Sequence, residues 1–274
     1  MPLRLIMIGD IVGKPGRRVV TQQIPYLQDR YQPDLIIANA ENAASGSGLT
    51  PSLYKEIKRA GVHGMTLGDH VYRKKEVNNV LTDATDLIRP ANLSPKAVGP
   101  GWMKLPIPGT DKHLYVITVL GRIFMPALPA NDPFETLDNF LESVDDPDAV
   151  ILAEIHAEAT GEKIAFAHHL DGRVAAVIGT HTHVPTADAQ ILKGGTAYIT
   201  DIGMTGPYES ILGRRIDRVV YHMTTSMPAP FDVAYNDVRL CGVFVEIDDD
   251  GKAITCERIE VKADPTSPPF VAEP

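Results

Sequence analysis

The sequence predicts an α/β fold in which mixed β-sheet is layered between helices. Two observations lead to this fold class. First, short apolar runs alternate with helical segments through most of the chain, a pattern typical of layered α/β proteins. Second, residues 238–247 and 253–261 are alternating runs joined by a turn at 248–251, which predicts an antiparallel hairpin. We therefore expect one domain with a mixed sheet, or two packed sheets, sandwiched by helices.

The predicted strands are short, largely apolar and bounded by Gly, Asn or Asp. The first, at residues 3–8, is too short for a signal peptide or a membrane span, so a buried strand is expected. Further strands are expected at residues 35–38, 62–67, 87–89, 114–120, 149–153, 173–178 and 196–200, followed by the C-terminal hairpin.

Helices are predicted between these strands, at residues 17–27, 51–60, 74–81, 133–144 and 158–170. Thr50-Pro51 and Asp132-Pro133 are helix start signals, because each pairs a capping side chain with proline at the first helical position. Residues 90–111 are rich in proline and glycine and are expected to form a surface loop. The domain is expected to span residues 1–263, with a proline-rich tail at 264–274.

The composition restricts the class of partner. With 26 Lys and Arg against 35 Asp and Glu, the net charge is −9, which argues against a protein that coats long nucleic acid. A nucleotide substrate remains possible, because a metal centre can supply local positive charge. The two cysteines, Cys241 and Cys256, are too few for a disulfide framework or a metal knuckle. They are expected to be reduced core residues, which fits a cytoplasmic location, and no membrane partner is expected.

Polar side chains follow five of the predicted strands at the point where each strand ends. Ligands in α/β proteins bind at the carboxyl ends of strands, so these side chains are expected to converge on one rim. Two of the histidines also form a His-x-His pair, which in an extended segment sends both imidazoles to the same side. The candidate residues are Asp10, Glu41, Asn42, Asp69, His70, His156, His181 and His183.

This set of side chains predicts a site for two metal ions. One tetrahedral ion needs about four ligands, and here there are three carboxylates, one amide and three or four imidazoles. Three carboxylates and one bridging hydroxide balance the charge of two divalent ions. Nitrogen and oxygen ligands without thiolate favour iron, manganese or zinc over Cu(I) or calcium.

Several sequence blocks carry a resemblance to a known family. Gly-Asp at 9–10, Gly-Asp-His at 68–70 and Gly-Thr-His-Thr-His at 179–183 resemble the metal-binding blocks of calcineurin-like metallophosphoesterases. More closely, the chain resembles the YmdB-like phosphodiesterase family within that group. The blocks that match it lie at residues 9–13, 41–44, 89–92, 156–160, 179–187 and 200–207, so the resemblance covers nearly the whole chain.

The resemblance implies a four-layer α-β-β-α sandwich of mixed sheets, the calcineurin-like metallophosphoesterase fold. It also implies a metal-dependent phosphodiesterase with a di-iron or di-manganese type of centre, zinc being a further possibility. The expected substrates are small cyclic nucleotides, in 2′,3′- or 3′,5′-cyclic form, which a metal-bridged hydroxide attacks at phosphorus. A homo-oligomer is expected on the resemblance alone.

The family's roles are carried over residue by residue. Asp10, Glu41 and His183 would hold one metal, and Glu41 would bridge to a second one held by three further ligands, namely Asp69, His156 and His181. Asn42 would contact a metal or the phosphate. His70 would be the catalytic general acid or a phosphate-binding group.

The chain departs from the family pattern at Asp69, where the family usually has Asn. A carboxylate there should still ligate. Its added charge is expected to hold the metal more tightly and to make the centre a weaker Lewis acid.

Two other interpretations remain open. One is a nuclease or phosphomonoesterase of the same fold, although the acidic charge balance argues mildly against long RNA. The other is a regulatory metal-binding protein in which catalysis is incidental. Turnover by the metal-loaded protein separates the enzyme classes from the regulatory one.

Overall fold

The computed structural model describes residues 2–264 and shows two β-sheets packed face to face, with helices on both outer faces. This arrangement confirms the predicted α/β fold class and its four layers. The expected proline-rich tail at 264–274 lies outside the described residues apart from Asp264. None of the helices within residues 2–264 is long and apolar enough to cross a membrane.

The first sheet has eight strands, five formed before the second sheet and three after it. Its strands are β1 (Leu3–Ile8), β2 (Asp10–Ile11), β3 (Leu35–Asn39), β4 (Gly64–Thr66), β5 (Leu87–Ile88), β12 (Met204–Pro207), β13 (Val238–Ile247) and β14 (Ala253–Lys262). The order is β2-β12-β13-β1-β3-β4-β5, with β14 also paired to β13. Strands β1, β3, β4 and β5 run parallel, whereas β13 is antiparallel to β1. The predicted hairpin is the antiparallel pair of β13 and β14.

The second sheet has six strands, namely β6 (Trp102–Pro106), β7 (His113–Leu120), β8 (Val150–His156), β9 (Ala176–Thr180), β10 (Gln190–Ile191) and β11 (Ala197–Ile199). Their order is β10-β11-β9-β8-β7-β6. The four central strands, β7, β8, β9 and β11, are parallel, and the edge strands β6 and β10 are antiparallel to their neighbours. The carboxyl ends of the parallel strands therefore meet at one edge of each sheet.

Alternating side chains divide most of the interior into three large cores. In β1, Leu5 and Met7 point into the core between the two sheets, and Ile6 and Ile8 point outward to a core beneath the helices. The helices α1 (Gly13–Tyr31), α2 (Pro51–Arg59) and α3 (Val77–Asp83) contribute to that outer core. On the other side, α4 (Pro133–Ser143) and α5 (Thr160–Leu170) cover the second sheet, with Phe166 fully buried.

Both predicted start signals act as caps. The Thr50 side chain accepts from the backbone N–H of Leu53, and Asp132 accepts from the N–H groups of Phe134 and Glu135. Each helix then begins at the proline that follows its cap, as Pro51 and Pro133 open α2 and α4. These two helix starts are confirmed.

Two expectations for individual elements were wrong, and the structure adds a helix that was not expected. The helix α1 begins at Gly13 rather than at residue 17, because Pro15 lies in the first turn, where a missing N–H costs no hydrogen bond. The expected loop at 90–111 contains β6, whose Met103 and Leu105 point inward while Trp102 and Lys104 are exposed. Such a strand tolerates proline because it lies at the sheet edge. A sixth helix, α6 (Ile216–Thr225), is not predicted by the sequence pattern.

Candidate metal centre

The eight polar residues singled out in the sequence lie together where the two sheets present their carboxyl ends. Asp10 opens β2 directly after β1, Glu41 and Asn42 lie in the turn after β3, and Asp69 and His70 follow β4. From the second sheet, His156 is the last residue of β8, and His181 and His183 follow β9. The site thus lies across the seam between the sheets, with candidate ligands from both.

Four of these residues form a tight group. One potential ligand atom each from Glu41, Asp69, His156 and His181 lies within 4.8 Å of the other three. His156 Nε2 is at the centre, 3.2 Å from Glu41 Oε1, 3.1 Å from Asp69 Oδ1 and 3.1 Å from His181 Nδ1. The side chain of His156 is fully buried, whereas His181 keeps 23% of its side chain exposed. The group therefore has a closed side and an open side.

Asp10 and His183 lie beside this group, next to Glu41. Asp10 is fully buried, and its Oδ1 has no hydrogen-bond partner within residues 2–264. The nearest basic atom to that oxygen is His183 Nε2, at 4.0 Å. An unpaired buried carboxylate oxygen is costly unless a cation or a proton balances it. A second cation position bounded by Asp10, Glu41 and His183 therefore fits the side chains.

Asn42 connects this second position to His70. Its Nδ2 lies 3.2 Å from Glu41 Oε1 and 3.1 Å from His183 Nε2, and its Oδ1 is 2.7 Å from His70 Nδ1. The backbone N–H of His70 donates to Glu41 Oε2 at 2.9 Å. The side chain of His70 is 28% exposed, so it lies at the open side of the site.

Two of the imidazoles are oriented by groups outside the site. His183 Nδ1 lies 3.1 Å from the carbonyl oxygen of Leu212, which can only accept, so Nδ1 carries a proton and Nε2 is free to ligate. His181 Nε2 lies 3.4 Å from the Glu158 carboxylate, which leaves His181 Nδ1 facing the ligand group. Glu158 does not cap α5, whose N-cap is Ala159 without a side-chain hydrogen bond.

The loop that carries both histidines has a constrained backbone. His181 and His183 have φ values of 99° and 65°, in the left-handed region that costs a side-chain-bearing residue about 1–3 kcal/mol. Asp201 Oδ2 accepts from the backbone N–H and the hydroxyl of the intervening Thr182, at 3.0 and 2.8 Å. The same oxygen accepts from Lys163 Nζ at 2.8 Å, in an ion pair that is fully buried on both sides. The buried pair of Lys163 and Asp201 therefore holds the histidine loop in place through Thr182.

The electrostatics of the group favour a cation. Burial raises the pKa of Asp10 to about 7, although the neighbouring His156 opposes that shift. Burial would also raise the pKa of Asp69, but hydrogen bonds from His156 and His181 lower it below its usual range. Burial would lower the pKa of His156, yet Glu41 and Asp69 hold it well above its usual value. The carboxylates thus draw positive charge to the centre of the group.

Close packing around the ligands supports a built site. An added Cβ at Gly68 would lie 2.5 Å from Glu41 Oε2 and closer still to His156 Nε2, so only glycine leaves both ligands in place. Imidazole nitrogens and carboxylate oxygens without thiolate are suitable donors for iron, manganese or zinc. The residues present therefore fit divalent metal ions.

The fold and the site together define a class of protein. A four-layer sandwich with mixed ligands at the strand ends is the arrangement of the metallophosphoesterases. At the level of fold alone, the structure is similar to that of a 5′-nucleotidase precursor from Thermus thermophilus, with a TM-score of 0.53 and 13% identity. That similarity covers 96% of this chain and 54% of the nucleotidase chain.

The chain belongs to the YmdB-like protein family, whose family model matches residues 6–259. It is 43% identical over 263 residues to a Bacillus subtilis protein named 2′,3′-cyclic-nucleotide 2′-phosphodiesterase, covering 96% of this chain and 98% of the relative. A Mycoplasma pneumoniae protein named putative phosphatase/phosphodiesterase is 34% identical, covering 96% and 94% of the two chains. The family resemblance that the sequence predicts is thereby confirmed, and the chain is an enzyme of the phosphoesterase class.

Two solved structures match almost the whole chain. A hypothetical protein from Thermus thermophilus has a TM-score of 0.89 at 40% identity, covering 96% of this chain and all of its own. A structure described as a novel phosphatase from Mycoplasma pneumoniae has a TM-score of 0.89 at 34% identity, covering 97% and 95%.

Sequence reasoning missed four residues that support the site. Glu158 and Asp201 lie in the family-matching blocks at 156–160 and 200–207, where no role was predicted for them, and Lys163 has the appearance of an exposed helix residue. Glu154 lies in an apolar run, and a carboxylate at an otherwise apolar strand position was the signal that could have identified it. The four are Glu154, Glu158, Lys163 and Asp201.

Proposed function

We propose that this chain is a phosphodiesterase that uses two divalent metal ions to hydrolyse cyclic nucleotides. The observation that carries the proposal is the convergence of four ligand atoms, from Glu41, Asp69, His156 and His181, within 4.8 Å of one another. The name of the Bacillus relative supports 2′,3′-cyclic nucleotides as the first substrate class. We include the 3′,5′-cyclic forms as a second substrate class.

In this proposal each metal ion has its own imidazoles. Asp10, Glu41 and His183 would hold one ion, next to the unpaired Asp10 oxygen. Glu41 would be shared with the second ion, whose other ligands would be Asp69, His156 and His181. Iron or manganese, with zinc as a further option, agrees with the mixed nitrogen and oxygen donors. Such ions lower the pKa of water and offset the charge of phosphoryl oxygens.

His70 would supply the proton that the leaving ribose oxygen needs. It is the most exposed of the site's imidazoles, at 28%, and burial lowers its pKa below the ordinary histidine value, which makes its protonated form a stronger acid. The backbone N–H of His70 bonds to Glu41, and its ring Nδ1 contacts Asn42. These contacts hold the ring in place and do not involve Nε2.

The amide of Asn42 would decide which ring nitrogen of His70 carries the proton. In the structure Asn42 Oδ1 faces His70 Nδ1. Only the amide oxygen is a metal ligand, so an Asn42 that contacts a metal would reverse this amide orientation and turn its NH₂ group toward His70. That NH₂ would donate to His70 Nδ1, and the His70 proton would then be on Nε2. A general acid requires the proton at this free nitrogen.

The carboxylate of Asp69 would add charge where the family usually has an amide. Its Oδ1 lies 3.1 Å from His156 Nε2, and its Oδ2 lies 3.9 Å from His70 Nε2. An extra negative charge there would bind the second ion more tightly and leave it a weaker Lewis acid. It would also favour a proton on His70.

The protein would act on a small substrate in the cytoplasm. Both cysteines are free thiols, which agrees with a reducing compartment. The net charge of −9 argues for a small nucleotide rather than a long polyanion. A homo-oligomer stays a prediction from the family resemblance.

The test is an assay of metal-reconstituted protein on four substrates: 2′,3′-cyclic AMP, 3′,5′-cyclic AMP, a nucleoside monophosphate and a short RNA. The proposal expects turnover of the cyclic diesters and loss of that turnover with a chelator. The control is His156→Ala, which removes the central ligand and should lose both metal and activity.

Three other outcomes would replace the proposal. Preference for the monoester would favour the phosphatase activity that the Mycoplasma relative's name suggests. Preference for RNA would favour a nuclease. No turnover of any substrate by protein with two bound ions would favour the regulatory metal-binding protein.

A further inference from the structure

A buried polar chain crosses the seam between the two sheets beneath the metal centre. Asn39, Glu154 and Thr180 are each fully buried, and their neighbours two residues earlier, Ile37, Leu152 and Ile178, belong to the apolar core between the sheets. Because side chains alternate along a strand, the three polar residues share that inner face. An isolated carboxylate in such a core costs several kcal/mol, and an apolar side chain would pack there without this cost.

Asn39 and Thr180 both donate hydrogen bonds to one oxygen of Glu154. Its Oε1 accepts from Asn39 Nδ2 at 2.8 Å and from Thr180 Oγ1 at 2.7 Å. Thr180 Oγ1 lies 2.9 Å from His156 Nδ1, and Asn39 Oδ1 accepts from the backbone N–H of Glu41 at 3.1 Å. The Glu154 carboxylate is thus linked to His156 of the second sheet through Thr180. It is linked to Glu41, after β3 of the first sheet, through Asn39.

The chain of hydrogen bonds has one direction. A threonine hydroxyl has one proton, and Thr180 gives it to Glu154 Oε1. Thr180 Oγ1 can therefore only accept from His156, so the proton of the neutral imidazole is on Nδ1. The lone pair is then on His156 Nε2, the atom that lies 3.2 Å from Glu41 Oε1 and 3.1 Å from Asp69 Oδ1.

We infer that Glu154 and Thr180 are positioning residues that hold His156 in the Nδ1-protonated form and set its affinity for metal. The inference rests on the proposed function, since it takes His156 to be a ligand. The carboxylate polarises the Thr180 hydroxyl, which makes the imidazole a stronger donor, as outer partners of ligating histidines do. Through Asn39, the same carboxylate orients the turn that carries Glu41.

The chain offers a matched control for this inference. Thr118 in β7 pairs in register with Glu154, is fully buried and follows Val116 of the same inner core by two residues. Its hydroxyl has no hydrogen-bond partner within residues 2–264. Thr118→Val and Thr180→Val therefore make the same chemical change at buried sites on the two strands that flank β8, and of the two hydroxyls only that of Thr180 hydrogen-bonds to a predicted ligand within residues 2–264.

The experiment measures Zn²⁺ affinity and stoichiometry by competition with a chromogenic chelator. Thr180→Val is expected to lower the affinity for one of the two Zn²⁺ ions by about 10–100-fold, and Glu154→Gln is expected to lower the affinity for the same ion. Thr180→Ser keeps the hydroxyl and should recover the wild-type affinity, as should Thr118→Val.

A spectroscopic measurement accompanies the affinities. In Zn²⁺-loaded protein labelled with ¹⁵N-histidine, the Nδ1 proton of His156 should exchange slowly and shift in Thr180→Val and Glu154→Gln, but not in Thr118→Val. If a valine variant fails to fold, the Glu154→Gln and Thr180→Ser pair carries the same comparison.

The outcomes separate this inference from the function it rests on. Wild-type protein that binds no Zn²⁺ would overturn the proposed function itself. Wild-type protein with two ions, together with Thr180→Val affinities and a His156 proton signal like those of wild type, would overturn only the positioning role.

Discussion

Gly68→Ala should distort the metal centre without removing the fold. The added Cβ would lie 2.5 Å from Glu41 Oε2 and closer to His156 Nε2, where a normal contact needs well over 3 Å. His156 is fully buried and Glu41 is 1% exposed, so neither can turn away into solvent. One of them must shift by about 1 Å, and a displacement of that size costs about 10²-fold in rate, or about 2.7 kcal/mol of transition-state stabilisation.

The assay compares kcat/KM for 2′,3′-cyclic AMP and metal content in Gly68→Ala and in a control glycine variant. Gly161 in α5 suits the control, because an added Cβ there meets no atom within 4 Å among the described residues outside its own helix backbone and chain neighbours. Gly161→Ala should keep full activity, and its free energy of unfolding should rise by up to about 1 kcal/mol because alanine has the higher helix propensity. A Gly68→Ala protein with two ions and wild-type kcat/KM would refute the assigned ligand roles of Glu41 and His156.

Four further predictions concern the site and its support. His70→Ala should lower kcat by about 10²–10⁴-fold with metal content unchanged, because it removes the proton donor alone. Asp69→Asn should lower the affinity for the second ion by at least about tenfold. The attraction between a carboxylate charge and an ion about 4 Å away exceeds about 1.4 kcal/mol, the equivalent of tenfold in Kd, even at an effective dielectric constant of about 20. The kcat of Asp69→Asn should rise, as expected for a stronger Lewis acid. Adding Mn²⁺ at 100 times its Kd to chelator-treated protein should raise the free energy of unfolding by about 2.7 kcal/mol per site. Lys163→Met should lower that free energy by about 3–5 kcal/mol, because it leaves the Asp201 charge buried and unpaired.

Each of these has its own check. Metal analysis accompanies the His70 kinetics, and wild-type kcat would remove His70 from the mechanism. Equal metal affinities for wild type and Asp69→Asn would contradict the charge argument. An unfolding transition that Mn²⁺ does not move would show that the ion does not bind the folded state. For Lys163, urea denaturation is the measurement, and the double variant Lys163→Met with Asp201→Asn should recover part of the loss.

Much of the candidate site was predictable because its signal is local. Each polar residue directly follows an apolar strand, so Asp10 or Glu41 can be recognised from its own few neighbours in sequence. The rule that parallel strands share a carboxyl edge then brings distant residues together without any structure. The two sheets and their order could not be obtained this way, because strand pairing depends on contacts across the whole chain.

The residues that support the site were not predictable for the same reason. Lys163 has the local pattern of a solvent-exposed helix residue, and only Asp201, 38 positions away, explains its burial. Glu154 interrupts an apolar run, but its partners Asn39 and Thr180 lie on other strands. The edge strand β6 was hidden by the prolines and glycines around it, since turn residues outweighed a short alternating pattern.

Anomalous diffraction from crystals of Mn²⁺-reconstituted protein, recorded with manganese as the scatterer, tests the two-metal centre most directly. The account predicts two peaks that share Glu41, one bounded by Asp10 and His183 and the other by Asp69, His156 and His181. A single peak, or peaks away from these side chains, would contradict it.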